Sequence, residues 1–294
     1  MTIKLLPSYI SITTNVPEKG CSVYCKKYCP QELIAKHYKG ERYMSVDSLQ
    51  RFLLGVNPKT TALYFGGFTE PLANPQTVDM MEWAHQEGYQ VLLFSTFAGF
   101  DPRLMERLVK IPFALFVWHL PDPEGIAHIP LNEEYWQNFK GAIKGIKRRK
   151  FMDMSEMNFE TNHREDIARE LEVYGKIVSI KPHTSKRGCV FLDYPRYELM
   201  PNGEMYFCCE TSCLTMRVGS LYENTYRELE ALHPKLAKQY REDRNSLCYY
   251  CCQSEPYWKR TIREGFGKMK ERTTGGVPLK EMPVLKGIYG RIFT

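Results

Sequence analysis

The sequence predicts an α/β protein: a parallel sheet built from β-α-β units, followed by a small cysteine-rich module. Two observations carry this. Short apolar runs alternate with helix-like stretches up to about residue 186, where the rhythm stops. The ten cysteines fall into two groups, within 21–29 and within 189–252, with none between.

Taken in order, residues 9–13 (YISIT) read as a first strand and 62–65 (ALYF) as a second, ended by Gly66 and Gly67. Residues 77–87 carry apolar positions at helical spacing, with Gly88 as the stop. Residues 91–94 (VLLF) form a third strand, 103–110 a helix, and 113–118 (FALFVW) a fourth strand. A basic helix over 135–150 precedes fifth and sixth strands at 151–157 and 177–180. Beyond them, 191–201 and 204–208 read as a hairpin turned by Asn202-Gly203, and 222–238 as a helix. The expected division is therefore 1–186, 187–262, and a tail over 263–294 that packs on the first part or moves freely.

Composition narrows the class. Of 294 residues, 43% are hydrophobic and 25% charged, which excludes a disordered chain. No apolar run approaches the roughly 20 residues that span a bilayer, and the N-terminal residues lack the apolar core of a secretion signal. The expectation is a soluble, cytoplasmic protein with no membrane partner. The net charge of +6 sits in the last part: from Lys235 onward there are 13 Lys/Arg against 6 Asp/Glu. Such a tail, like the KGIKRRK run at 144–150, suits nucleic acid or an acidic partner, but more simply a solvated surface.

Clustered cysteines in a reducing compartment point to metal rather than disulfides. Residues 21–30 read CSVYCKKYCP, three thiols in one loop after the first strand. Three thiolates can hold three irons of a [4Fe–4S] cube and leave the fourth open. Zinc is the other soft-metal choice and would need a fourth ligand, for which His37 is the nearest candidate. After the second strand comes LYFGGFTEPL at 63–72, whose glycines let backbone approach a ligand closely.

Together these elements resemble the radical SAM superfamily. The cysteine loop is similar to that family's C-x3-C-x2-C, with Tyr28 in the aromatic place and the second gap one residue longer. GGFTEP resembles its Gly-Gly-Glu-Pro element, and Ser95-Thr96 its polar end of the third strand. The resemblance covers about residues 7–186 and implies a partial (β/α)6 TIM-like barrel. It implies that Cys21, Cys25 and Cys29 bind a [4Fe–4S] cluster, and that Gly66, Gly67, Glu70, Ser95, Thr96 and Tyr28 surround S-adenosyl-L-methionine (SAM).

Further along, Cys189, Gly203, Cys208 and the Cys248/Cys251 pair resemble the Twitch subdomain, the short form of SPASM. That implies a β-hairpin-plus-helix module holding one auxiliary [4Fe–4S] cluster on Cys189, Cys208, Cys248 and Cys251. Cys209, Cys213 and Cys252 are then spare, though Cys213 or Cys252 could replace a named ligand. A zinc ribbon is the structural alternative.

The reaction so implied is reductive cleavage of SAM to methionine and a 5′-deoxyadenosyl radical, which takes a hydrogen atom from substrate. The electron would come from a flavodoxin- or ferredoxin-type donor. His119 and Asp122, after the fourth strand, are the leading substrate-facing candidates. Asp153, Glu156, Lys181, His183 and Arg187 follow. The substrate is expected to be a small carbohydrate, cyclitol or nucleoside-like molecule, or a peptide. Modification of nucleic acid is the enzymatic alternative, and a zinc-stabilised binding module the non-enzymatic one.

Overall fold

In the computed structural model the described residues are 6, 8–25, 31–120, 127–146, 149–153, 187–208, 214, 216–243, 246, 248 and 255–256. Strands β1 (Ser8–Ile12), β2 (Thr61–Phe65), β3 (Val91–Ser95), β4 (Leu115–Leu120) and β5 (Arg149–Asp153) pair parallel in sequence order. A two-residue β6 (Arg187–Gly188) lies outside this sheet. On the other side of β1 the sheet continues through β7 (Arg196–Leu199), β8 (Glu204–Tyr206) and β9 (Arg217–Ser220). β7 runs parallel to β1, then turns back on β8 and β9 antiparallel, so the eight strands form one sheet.

Alternation along each strand sorts its side chains onto two faces. Ile10 and Ile12 of β1 join Leu63, Phe65, Leu93, Phe116, Trp118, Tyr197 and Leu199 in one buried core. The helices Val46–Phe52, Thr77–Gln86 and Glu133–Gly145 cover it with Leu49, Phe52, Met80, Met81, Ala84 and Ala142. Each fully buried large side chain there is worth about 1.5–3 kcal/mol of transfer free energy. The opposite face carries Tyr9 and Ser11, Tyr64, Phe94, His119, Arg196 and Glu198. Tyr9, Tyr64, Phe94 and His119 run across it ring to ring, at 5.8, 4.6 and 6.0 Å between centroids.

Several sequence expectations need correction. The fourth strand covers Leu115–Leu120 rather than 113–118, because Met152 and Asp153 of β5 pair with His119 and Leu120. The basic helix ends at Gly145, and Arg149 and Lys150 open the fifth strand, which starts two residues earlier than read. The expected helix at 103–110 is a 3-10 turn, Pro102–Leu104, capped by Asp101, and one α-turn, Met105–Leu108. In the hairpin, Val190–Asp193 is helical; the strand begins only after Pro195, which has no N–H to donate. The helix read over 222–238 is two, Tyr226–Ala231 and His233–Glu242, because Pro234 fits a first helical turn and not an interior. Residues 154–157 of the expected fifth strand, the sixth strand at 177–180 and the tail at 263–294 lie outside the described residues. Among those that are described, no helix is long and apolar enough to cross a membrane.

Candidate functional site

The loop that leaves β1 meets the turn that leaves β2 at the C-terminal ends of the parallel strands, where α/β proteins place ligands. The Glu70 N–H donates to Cys21 Sγ at 3.3 Å. Gln31 fastens the loop: its Oε1 accepts from the Cys21 N–H at 2.9 Å, and its Nε2 donates to the Phe68 carbonyl. Val23, Ala98 and Ala127 form a small apolar cluster against which Cys21, Cys25 and Ile129 pack. Burial pushes the Cys21 thiol up, opposed by N–H groups of Val23, Glu70 and Tyr24. Two half-buried thiols on one apolar cluster, one of them receiving an N–H bond, suit a soft metal better than a hard one. Tyr28 and Cys29 lie outside the described residues, among which no three Cys, His, Asp or Glu side chains converge as a metal site.

The glycine turn is tight for reasons internal to the protein. Gly67 has φ +71°, and a Cβ there would fall on Thr13 Oγ1 and Glu198 Oε1. A Cβ on Gly66 would meet the Tyr64 ring at 2.6 Å. Glu70 is buried, and its carboxylate accepts from Ser95 Oγ (2.6 Å), Thr96 N (2.7 Å), Thr96 Oγ1 (2.6 Å) and Leu72 N (3.1 Å). Burial raises its pKa and these donors oppose the rise. The three polar residues read as surrounding a ligand thus spend these side-chain bonds on one another. They tie the end of β3 to the turn after β2, leaving backbone as the turn's outward chemistry.

His119 stands within β4 and not after it, half-buried on the aromatic face. Burial pulls its pKa down to about 4, so at neutral pH it is an uncharged imidazole. Asp122, Glu156, Lys181 and His183 lie outside the described residues; Arg187 opens β6. A cavity of about 420 Å³ adjoins the cysteine loop, lined by Ser22, Phe97, Gly99, His128, Asn132 and Tyr135 among others.

In the second cysteine group, Cys189 and Cys208 are buried in the main core and Cys248 packs against it. Cys208 and Cys248 both lie near enough to the Tyr240 hydroxyl to raise its pKa, secondary to burial. β6 pairs antiparallel with β10 (Glu255–Pro256), setting Gly188, the neighbour of Cys189, against Glu255. Cys251 and the spares Cys209, Cys213 and Cys252 lie outside the described residues.

Two residues of this region escape sequence reasoning. Thr13 and Glu198 are both fully buried, and Thr13 Oγ1 donates to Glu198 Oε1 at 2.5 Å. Burial pushes the Glu198 carboxyl up to about 7, while the hydroxyls of Thr13 and Ser11 favour its charged form. Because the fold holds this proton to about pH 7 and the unfolded chain only to about 4.5, the unfolded chain binds fewer protons between the two. Stability should therefore fall as pH rises through that window. Glu198→Gln is expected to match the wild type at pH 5 and to be more stable above pH 7, by roughly 2–3 kcal/mol. Urea midpoints from pH 5 to 8.5 check this; parallel profiles for the two proteins would refute it.

No family model and no curated protein matches the chain. Solved structures do. BtrN in complex with AdoMet and 2-DOIA matches with a TM-score of 0.58 at 13% identity, over 86% of this chain and 94% of that one. An open conformation of BtrN matches with a TM-score of 0.53 at 13% identity, over 87% of this chain and 98% of that one. anSMEcpe with bound AdoMet matches with a TM-score of 0.50 at 14% identity, over 92% and 100%. Two of these structures hold AdoMet, and the chain shares the fold of all three. Identities this low carry the fold alone.

Proposed function

We propose that the protein is a radical SAM enzyme whose first cluster is held by Cys21, Cys25 and Cys29. When bound, that [4Fe–4S] cluster supplies the electron that cleaves SAM to methionine and a 5′-deoxyadenosyl radical able to take a hydrogen atom from substrate. The observation that carries this reading is the 3.3 Å contact from the Glu70 N–H to Cys21 Sγ. It joins a cysteine loop after one parallel strand to a glycine turn after the next, in a fold shared with AdoMet-bound structures.

In this reading Gly66, Gly67 and the backbone at Glu70 face the amino-acid end of SAM. Ser95 and Thr96 hold that turn through the Glu70 carboxylate. His119 and Asp122 face the substrate. Since burial keeps His119 neutral, it orients substrate by hydrogen bonding and carries no positive charge at pH 7. The aromatic row of Tyr9, Tyr64 and Phe94 excludes water around a small polar molecule or a peptide side chain. Cys189, Cys208, Cys248 and Cys251 would hold an auxiliary [4Fe–4S] cluster, which would supply an electron acceptor for the substrate radical or an anchor for the substrate. The β6–β10 pairing supports this set, because it brings the chain just beyond Cys251 back to Cys189. A flavodoxin- or ferredoxin-type protein is the proposed donor.

Metal analysis tests all of this together. Anaerobically reconstituted protein should hold about eight irons per chain, and the triple variant Cys21→Ala/Cys25→Ala/Cys29→Ala about four. That variant should form no 5′-deoxyadenosine under dithionite, and its remaining cluster should ignore added SAM. Undiminished SAM cleavage would end the proposal, and zinc without sulfide would replace it with a binding module.

A further inference from the structure

We propose that Glu198 is a positioning residue for the turn at 66–70, acting through Thr13 to fasten that turn to the hairpin strand β7. The inference rests on reading the turn as a SAM site. It concerns what holds the turn there, and it makes the hairpin leading to Cys208 and the loop carrying Cys21 a single mechanical unit.

The connection can be followed bond by bond. Glu198 Oε1 accepts from Thr13 Oγ1, and Thr13 Oγ1 accepts from the Phe68 N–H at 2.9 Å. The Phe68 carbonyl accepts from Gln31, whose other amide atom holds the Cys21 N–H. One residue further, Thr69 Oγ1 donates to the Asn15 carbonyl at 2.6 Å, and Asn15 Nδ2 donates to the Glu70 carbonyl at 2.9 Å. The segment leaving β1 therefore grips the turn from within, and Glu198 grips that segment from the next strand.

Packing leaves this arrangement no slack. Glu198 and Thr13 are 0% exposed, and Gly67 presses on both so closely that a Cβ has no room. Glu198 faces Ser11 in register across β1–β7, and both are fully buried. A carboxylate buried at that cost, with one oxygen committed to Thr13, is hard to explain as filler. An apolar side chain would suit a sheet core better.

The test compares isosteric with conservative substitutions in the full-length reconstituted chain. Thr13→Val keeps the volume and removes both hydrogen bonds; Thr13→Ser keeps the hydroxyl. Glu198→Gln keeps an acceptor for Thr13, and Glu198→Met removes it. SAM is titrated against the electron paramagnetic resonance signal of the reduced protein, iron is counted, and amide exchange is followed over residues 66–70. Thr13→Val and Glu198→Met should lose about tenfold in SAM affinity and gain exchange in the turn, with full iron content. Thr13→Ser and Glu198→Gln should stay within about threefold of the wild type. Wild-type exchange and affinity in Thr13→Val would overturn the proposal. So would loss of affinity in Thr13→Ser equal to that in Thr13→Val, which would mean the hydroxyl is not what matters. If the wild type itself shows no SAM-dependent signal, the SAM reading fails. The positioning of a SAM site then fails with it, whatever the exchange data show.

Discussion

Gly67→Val should cost the protein about 3–5 kcal/mol and loosen the whole upper edge of the sheet. Backbone strain and steric collision add. At φ +71° a β-branched residue sits in the left-handed region, a strain on the order of 1–3 kcal/mol. The collision costs more. An ideal Cβ falls on Thr13 Oγ1 and Glu198 Oε1, with the Thr13 Cα only 3.1 Å away. Neither partner is the loose end of a long side chain, since they are fully buried and bonded to each other. Gly88 supplies the control: its φ is +86°, but a Cβ there meets nothing within 4 Å. Gly88→Val should therefore show the backbone strain without the collision. Urea denaturation of both variants separates strain from collision, with an unchanged m-value confirming the same unfolding transition. Equal losses in the two would remove the steric argument, and with it the claim that the turn is packed against Thr13 and Glu198.

That collision is not readable from sequence, and the reason is physical. A Gly-Gly pair after a strand announces close approach without saying to what; here the surfaces approached include the protein's own Thr13 and Glu198. β1, β2 and β3 are legible to within a residue at either end, because each is an apolar run bounded by glycine, proline or a polar turn. The start of β5 is misleading because Arg149 and Lys150 look like the end of a basic helix, while pairing with Phe116 and Val117 makes them strand. Glu198 escapes notice for a similar reason. Arg-Tyr-Glu-Leu alternates as a half-exposed strand would, and only its pairing with β1 buries the glutamate. The meeting of the Cys21 loop with the turn after β2 is legible, because both segments leave the C-terminal ends of adjacent parallel strands. By contrast, Ser95, Thr96 and Glu70 are legible as a polar constellation but not as partners of one another. Their mutual bonds depend on the relative positions of the turn after β2 and the end of β3.

Glu70→Ala should be the most damaging single change in that constellation, at roughly 3–5 kcal/mol. The wild-type carboxylate takes four donors, from Leu72, Ser95 and Thr96, in a site closed to water. Alanine leaves all four unpaired and opens a cavity, and no water can easily enter to replace the acceptor. The damage should also reach the cysteine loop. The Glu70 N–H that meets Cys21 Sγ belongs to the residue whose side chain anchors it, so reconstituted iron should fall along with thermal stability. A thermodynamic cycle decides whether the donors are the cause. In a Ser95→Ala/Thr96→Val background, two of the four donors are gone and part of the cost has been incurred in advance. Glu70→Ala should then add markedly less than it does in the wild type, because residues sharing one network are not additive. If it costs the same in both backgrounds, Ser95 and Thr96 do not act through Glu70. Their hydroxyls would then be free for the ligand-facing role that the strand-end motif suggests.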